Sequence, residues 1–540
     1  MQAGILAAAG IVSRIIGLLY RSPLQRVIGD LGMGYYNSAY NFYTIILMVS
    51  SYSIPSAISK VIAQKLAWKE YRNAHRIFLC ALGYALAVGG VASLFLYFGA
   101  GLFVAAEAVP VLRTFAPTIF VYGILGVLRG YFQAHGSMAQ TSVSQVLEQL
   151  ANAVVSVGAA CLLIVQAMGS LEVPAEEPAR VARAARGAIG SALGTGAGVL
   201  IALVFMAGMY RLNRGLIHRR IRRDGHEEVD SYGDILKMIT LVVTPFILST
   251  AIYNLNDTVN NALYTKWLPG VKELDAVSVY SRWGVFSGQS VTISKIPIAF
   301  ATAMAAAMIP TVSRLVSARN LREARNKIGL AVKVTMIISI PCAVGILVLA
   351  RPITALLFHN EREAEDLATG LLMALAISVI FYALSTLNSQ ILQGLGKLNA
   401  PIVNAAAALA IQTVTAVALL YAGLDLYAIV IANVVYSGIM CLLNQRAVRR
   451  AAGYRQEIVR TFLIPLLAAS GMGAFAWAVY EGLLLLTKSP RISVVPAILL
   501  GACVYFLLLI LFRGVSEEEL KALPKGYLLV RLARKCRLMR

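Results

Sequence analysis

Charge is what this chain has least of. Only 14% of its 540 residues are Asp, Glu, Lys or Arg, while 59% are hydrophobic. Soluble domains carry about a quarter charged residues, so a soluble globular protein is excluded and an integral membrane protein expected. Acidic residues are the scarcest, 26 against 48 Lys and Arg. The resulting charge of +22 would suit nucleic acid, yet the basic residues collect in alternate loops instead of one aromatic-studded face. Nucleic acid is therefore not an expected partner. The six cysteines are scattered, and Cys80, Cys161, Cys342, Cys441 and Cys503 fall in apolar runs. Without CxxC or metal-ligand spacing they read as small packing residues, which excludes a disulfide framework or structural zinc. The five histidines include no HExxH, and no GxSxG, Walker or dinucleotide fingerprint stands between a strand and a helix. An enzyme is not expected. A basic stretch ahead of the first apolar run is also missing, so no cleavable leader is expected and the first helix stays.

What is present is a long series of apolar runs. Read between polar, glycine and proline breaks, they predict an all-α membrane protein of fourteen helices. The spans are 3–22, 39–59, 77–103, 109–133, 142–168, 188–210, 236–264, 283–310, 328–350, 367–393, 400–421, 425–444, 461–486 and 492–512. Loops after even-numbered helices hold roughly thirty Lys and Arg against about ten on the other side, which predicts a multi-pass protein with both termini cytoplasmic. The tail mixes Leu528, Leu529 and Leu532 with Arg531, Arg534 and Lys535, the pattern of a basic interfacial helix on membrane lipid.

A repeat runs through these spans. Tyr122, Gln133 and Gly136 recur as Tyr382, Gln393 and Gly396, and Ile54-Pro55 with Ser59-Lys60 is echoed by Ile309-Pro310 with Ser313-Arg314. Helix 2 thus matches helix 8 and helix 4 matches helix 10, the sign of two parallel six-helix lobes that alternate access around a cavity. The expected division is 1–230 for the first lobe and its linker, and 231–455 for the second. Residues 456–512 form helices 13 and 14, and 513–540 the tail.

Ionisable groups inside membrane spans mark function by default. Arg14 interrupts the first apolar run and Arg21 closes it; seven apart, they share a helix face about 10 Å apart along the axis. Gly17 lies between them and leaves room for a ligand. Arg129, Arg282 and Lys295 complete a cationic set that fits a phosphate or pyrophosphate better than a neutral molecule, because guanidinium groups bind phosphate bidentately. Arg14, Arg282 and Lys295 sit deepest; snorkelling or a structural ion pair would equally account for Arg21, Arg129 and Lys333. Lys295 precedes Pro297, which with Gly284, Ser287, Gly288, Ser290 and Ser294 predicts a kinked, cavity-lining helix 8. On helix 7, Asn254, Asp257 and Asn261 share a face. A carboxylate among amides suits a hard cation or a proton; the same amides suit an interhelical hydrogen-bond seam. Glu148, flanked by Gln145, Gln149 and Asn152, has the same two readings.

Several of these segments resemble a known family. Ser13-Arg14-Ile15-Ile16-Gly17, Ile54-Pro55-Ser56-Ala57-Ile58-Ser59-Lys60, Leu128-Arg129-Gly130-Tyr131-Phe132-Gln133, Ser144-Gln145-Val146-Leu147-Glu148-Gln149 and Gln390-Ile391-Leu392-Gln393-Gly394-Leu395-Gly396 resemble the polysaccharide-biosynthesis flippases. Within them the chain is most similar to the SpoVB/YtgP branch, which includes MurJ-type lipid II flippases of Gram-positive bacteria. The resemblance implies two six-helix lobes of the MOP superfamily, a groove for a polyprenyl tail on helices 13 and 14, and a bacterial plasma-membrane location. It implies an undecaprenyl-pyrophosphate-linked sugar as cargo, lipid II first, and cell-wall synthesis machinery as partner. The family's pyrophosphate arginines on helices 1 and 8 correspond by position to Arg14 and Arg282, and approximately to Arg21. Two departures stand out. Some members carry arginine in helix 2, where this chain has Met48, Val49 and Ser50; sodium-binding members pair a helix 7 carboxylate, here Asp257, with one on helix 11, where this chain has Asn404 and Gln412. Coupling to Na+, to H+ or to the membrane potential stays open, with no other cofactor expected. Another lipid-linked oligosaccharide, a sporulation precursor, or a cation-coupled multidrug exporter are the alternatives.

Overall fold

The computed structural model describes residues 2–52, 54–222, 224, 230–358, 361–397 and 399–515. The predicted basic tail helix, and part of the linker after helix 6, lie outside them. Among the described residues the chain is helical throughout, with no strand. The helices are α1 (Gln2–Leu19), α2 (Arg21–Leu47), α3 (Ile54–Ala67), α4 (Tyr71–Phe103), α5 (Val109–Ala134), α6 (Ala139–Met168), α7 (Glu177–Arg222), α8 (Tyr232–Ala262), α9 (Leu268–Lys272), α10 (Ala276–Val285), α11 (Val291–Ser317), α12 (Leu321–Leu357), α13 (Arg362–Gly394), α14 (Asn399–Tyr421), α15 (Leu426–Ala452), α16 (Ile464–Thr487) and α17 (Pro490–Leu511).

Ten described helices are long and apolar enough to cross a membrane. The other four expected spans, the first, second, seventh and eighth, are irregular. The first ends at Tyr20, and the residues beyond it, expected as a loop, are helical in α2 until Gly29 turns the chain at φ 72. Only glycine adopts that conformation without strain. The second span is cut by the π-helical segment Met48–Tyr52, the seventh runs into Leu263–Trp267, and the eighth contains Phe286–Ser290. The irregularity of helix 8 therefore precedes Pro297, which lies within α11. Broken helices are tolerated at membrane depth where protein or a cavity satisfies the freed backbone groups.

The chain forms two compact units, 1–288 and 289–540. In the first, α10 packs closely on α2. A Cβ at Gly284 would lie 1.9 Å from the Asp30 carbonyl oxygen, and one at Gly34 would lie 1.9 Å from that of Tyr280. Backbones this close need glycine on both sides and hold α10 in the first unit. The same device joins α6 to α7: Gly190, Gly194 and Gly198, four residues apart, press against Ala160, Ser156 and Glu148. The core of the second unit collects Ile328, Val332, Met336, Leu387, Ile391, Ala468 and Tyr505. There the Tyr505 hydroxyl donates to the Ile337 carbonyl at 2.8 Å, tying α17 to α12.

Candidate functional site

The first unit gathers most of the intramembrane charge. Arg129 on α5 is buried, with 5% of its side chain exposed; its Nη2 donates to Glu148 Oε2 of α6 at 2.8 Å and its Nε to Ser144 Oγ at 2.9 Å. Two hydrogen bonds to a carboxylate and a hydroxyl give this cation the partners a buried charge requires. Arg129 and Glu148 thus form a buried ion pair, one of the readings open to Arg129. Next to it in sequence, Gly130 packs against the backbone of Pro55, bringing α5 hard onto α3.

Arg14 is exposed on α1 and Arg21 half-buried at the start of α2. Gly17, between them, faces α6; a Cβ there would lie 3.7 Å from Gln149 Oε1. Arg282 is half-buried on α10. Its neighbour Trp283 is buried and stacks on Tyr264 at 5.7 Å. Arg14, Arg21, Arg129 and Arg282 thus belong to one compact unit, whereas Lys295 is exposed on α11 in the other, with Pro297 buried two residues on. The expected set is divided between units, and Arg282 sits on the first-helix side of the division instead of the second.

On α8 the amides are largely occupied. Asn261 Nδ2 donates to the Ser38 carbonyl of α2 at 3.2 Å and Asn260 Nδ2 to Asn256 Oδ1 at 3.3 Å. This is the interhelical seam reading. Asn254 and Asp257 are half-buried nearby on the same helix, Asp257 supplying its carboxylate. Among the described residues no group of three or more His, Cys, Asp or Glu could hold a metal ion.

The repeat has a structural counterpart at its glycine helix ends. Gly136 and Gly396 both take positive φ, 77° and 75°, and both close their helices with the same bonds. Gly136 donates to the Gln133 carbonyl and Ser137 to that of Phe132; Gly396 donates to Gln393 and Lys397 to Leu392. Sixfold-bonded turns of this kind satisfy the last helical carbonyls and select glycine. What the repeats hold at equivalent places differs. Where the first has Arg129 and Ser144, the second has Ser389 and Asn404, joined through Asn444: Asn404 Nδ2 donates to Asn444 Oδ1 at 2.9 Å, and Asn444 Nδ2 to Ser389 Oγ at 2.8 Å. A charged pair in one repeat is a neutral amide network in the other.

Sequence reading missed two polar features of the first unit. Asn152 of α6 is a hub, accepting from Ser156 Oγ at 2.8 Å and Thr195 Oγ1 at 3.4 Å and donating to Tyr20 Oη at 3.4 Å. Tyr36 Oη reaches Thr195 Oγ1 at 3.3 Å, so the network joins both ends of the Arg21 segment. Arg183 is buried at the start of α7 and donates to the carbonyls of Val27, 2.8 Å, and Leu171, 3.0 Å. It lies where the sequence reads as a linker, but it ties the Val27 carbonyl beside the Gly29 turn to the loop after α6. An arginine inside an Ala-rich, amphipathic run was the available signal.

With this geometry in place, the chain can be set against known proteins. A family model for the lipid II flippase MurJ matches residues 77–495. The chain is 24% identical over 486 residues to the lipid II flippase MurJ of Bacillus subtilis (strain 168), covering 85% of this chain and 84% of that one. It is 22% identical over 544 residues to stage V sporulation protein B of the same organism, covering 98% of both. A solved lipid II flippase MurJ in an inward closed conformation matches with a TM-score of 0.64 at 14% identity, over 94% of this chain and 98% of that one. An inward-facing multidrug resistance MATE family transporter of the MOP superfamily matches with a TM-score of 0.59 at 17% identity, over 84% and 95%. At these identities the structures speak to fold alone, and the fold is the all-helical one of MurJ and MATE transporters.

Proposed function

The chain belongs to the lipid II flippase MurJ family, and from that membership we propose that it carries an undecaprenyl-pyrophosphate-linked cell-wall precursor, lipid II first, from inner to outer leaflet. It is a multi-pass membrane transporter of flippase type, not an enzyme. The observation that carries the cargo reading is the placing of Arg14, Arg21 and Arg282 on the interrupted helices of one compact unit. A pyrophosphate leaving water at a leaflet loses hydration that costs far more than the sugar or tail does. Guanidinium groups replace that hydration with paired hydrogen bonds and stay charged at any physiological pH. Arg129 contributes to the field but is held by Glu148, so Arg14, Arg21 and Arg282 are the proposed ligands in the first unit, with Lys295 as the cation of the second. Helices α16 and α17, outside the repeat, are assigned the polyprenyl tail.

Alternating access then needs a bias. Asp257, a half-buried carboxylate on α8, is the proposed group for H+ or Na+ coupling; the membrane potential acting on the arginines is the other source. Both termini are assigned to the cytoplasm by loop charge, and the exported precursor would pass to cell-wall synthesis machinery.

The test is complementation of a strain depleted of its lipid II flippase, with surface-exposed lipid II measured directly. Wild-type protein should restore growth and exposure, and Arg14→Ala and Arg282→Ala should each fail while still inserting. Normal growth on either variant as sole copy would remove the pyrophosphate clamp; no rescue by wild type would remove lipid II as cargo. The end-to-end match to stage V sporulation protein B supports a second cargo, a precursor made during sporulation. Rescue of a strain lacking that protein, without rescue of the flippase-depleted strain, would select it.

A further inference from the structure

A cavity of 370 Å³ opens in the second unit, lined by none of the cations assigned to the pyrophosphate. Its walls are Arg325, Asn326 and Lys333 of α12 and Tyr454, Arg455 and Thr461 of the segment that leads into α16. Arg325, Gly329 and Lys333 are four residues apart, so one face of α12 presents cation, glycine, cation. The missing side chain at Gly329 admits the Tyr454 ring, which would lie 3.3 Å from a Cβ there. Gly453 ends α15 at φ 68 and turns the chain back over α12, with the Arg325 guanidinium 4.0 Å from where its Cβ would be. Two glycines thus bring the three cations to one concavity. Lys333 is 7% exposed, whereas Arg325 and Arg455 are exposed. The one acidic residue of the wall is Glu457.

Three cations against one carboxylate leave a local charge of about +2, the complement of a phosphate group. Neighbours in the chain decide what bears that phosphate. Ile458 is 70% exposed and Val459 58%, and both lie in the chain between the wall residues Glu457 and Thr461. Large apolar side chains there suit an acyl chain and give a soluble anion nothing to bind. Burial, helped by Glu457, pushes the Tyr454 phenol up to about 12, so its hydroxyl keeps its proton as a donor. We propose that this pocket binds the phosphate of an anionic membrane lipid, in the leaflet that loop charge assigns to the cytoplasmic side. Arg325, Lys333 and Arg455 take the headgroup, and Ile458 and Val459, ahead of α16, take the chain. Headgroups exposing a phosphomonoester or two phosphates should bind best, and zwitterionic ones poorly.

The experiment uses the purified full-length protein and measures retention of dioleoyl-phosphatidic acid and dioleoyl-phosphatidylcholine by native mass spectrometry, with inorganic phosphate as competitor. Phosphatidic acid should be retained selectively, and each lost cation should weaken it about tenfold, as expected for one charge-assisted contact. The Arg325→Ala/Arg455→Ala variant changes only exposed residues, and Lys333→Met tests the buried one. Equal retention by wild type and the double variant overturns the site. Full displacement by millimolar inorganic phosphate overturns the lipid assignment in favour of a free anion, and equal binding of phosphatidylcholine overturns the phosphate as the recognised group.

Discussion

Replacing Gly284 with alanine is the sharpest perturbation the fold offers. The added Cβ would lie 1.9 Å from the Asp30 carbonyl oxygen and 2.7 Å from the Gly34 nitrogen, all rigid backbone. Ordinary contact begins near 3.4 Å, so α10 and α2 must separate by about 1.5 Å. Side chains cannot absorb this, since the obstructing atoms are main chain on both helices. Overpacking of a tight core costs about 1–3 kcal/mol, and a seam opened along its length belongs at the upper end. At about 2–4 °C per kcal/mol for a domain of a couple of hundred residues, the thermal midpoint should fall by several degrees. Arg282, two residues away on the same short helix, would move with the seam, so complementation should fail as well. The control is Gly83→Ala on α4, where nothing lies within 4 Å of the new Cβ. There alanine should be neutral or slightly stabilising, because it restricts the unfolded chain and favours helix. The assay is the unfolding midpoint of both variants purified in the same detergent. If Gly284→Ala unfolds with Gly83→Ala and complements equally well, the glycine seam is not what joins α10 to the first unit.

Two further outcomes follow from charge pairs. Glu148→Gln leaves Arg129 buried without its anion and should destabilise by about 3–5 kcal/mol, whereas Arg129→Met/Glu148→Met together should cost less than either single change; a purely additive cycle by thermal unfolding would show the pair is not coupled. Outside the membrane spans, Lys65 pairs with Glu70 and with Asp230 at 2.7 Å, and Arg76 Nη1 donates to the Asp230 carbonyl, fastening the linker before α8 to α3 and α4. Burial opposes the Lys65 charge, but the two carboxylates outweigh it and hold its pKa above the usual lysine range. A raised lysine pKa is stabilising below the unfolded value and is lost only as pH rises through the folded one, so this fastening should persist through neutral into alkaline conditions. Asp230→Asn should make the linker cleave faster in limited proteolysis; an unchanged cleavage rate would mean the latch is held by other contacts.

Much of this was legible before any coordinates. Apolar runs of spanning length, basic loops and the offset between Gln133-Gly136 and Gln393-Gly396 all report local requirements: burial in hydrocarbon, loop charge, and a left-handed helix end that only glycine fills cheaply. What was not legible lies in contacts between distant segments. Arg129 in sequence is a cation near the end of an apolar span that a ligand, snorkelling or an ion pair would each explain, and only the approach of α6 gives it Glu148. Arg183 lay in a stretch read as a linker because its acceptors, at Val27 near the Gly29 turn and at Leu171 in the loop after α6, are distant from each other in sequence. The α2–α10 seam was hidden for the same reason, since it is built from Gly34 and Gly284, residues 250 apart in sequence.

By itself the sequence determined that this protein lives in a bilayer as repeated bundles of helices. Hydropathy and glycine placement act within a turn or a span, where the physics is local. It also named the cations that must be accounted for. Only tertiary structure decided which of them are already neutralised, which helices break, and which cations share a unit or a pocket. Desolvation and ion pairing depend on distances of a few ångströms between helices, and no pattern along one helix sets those distances.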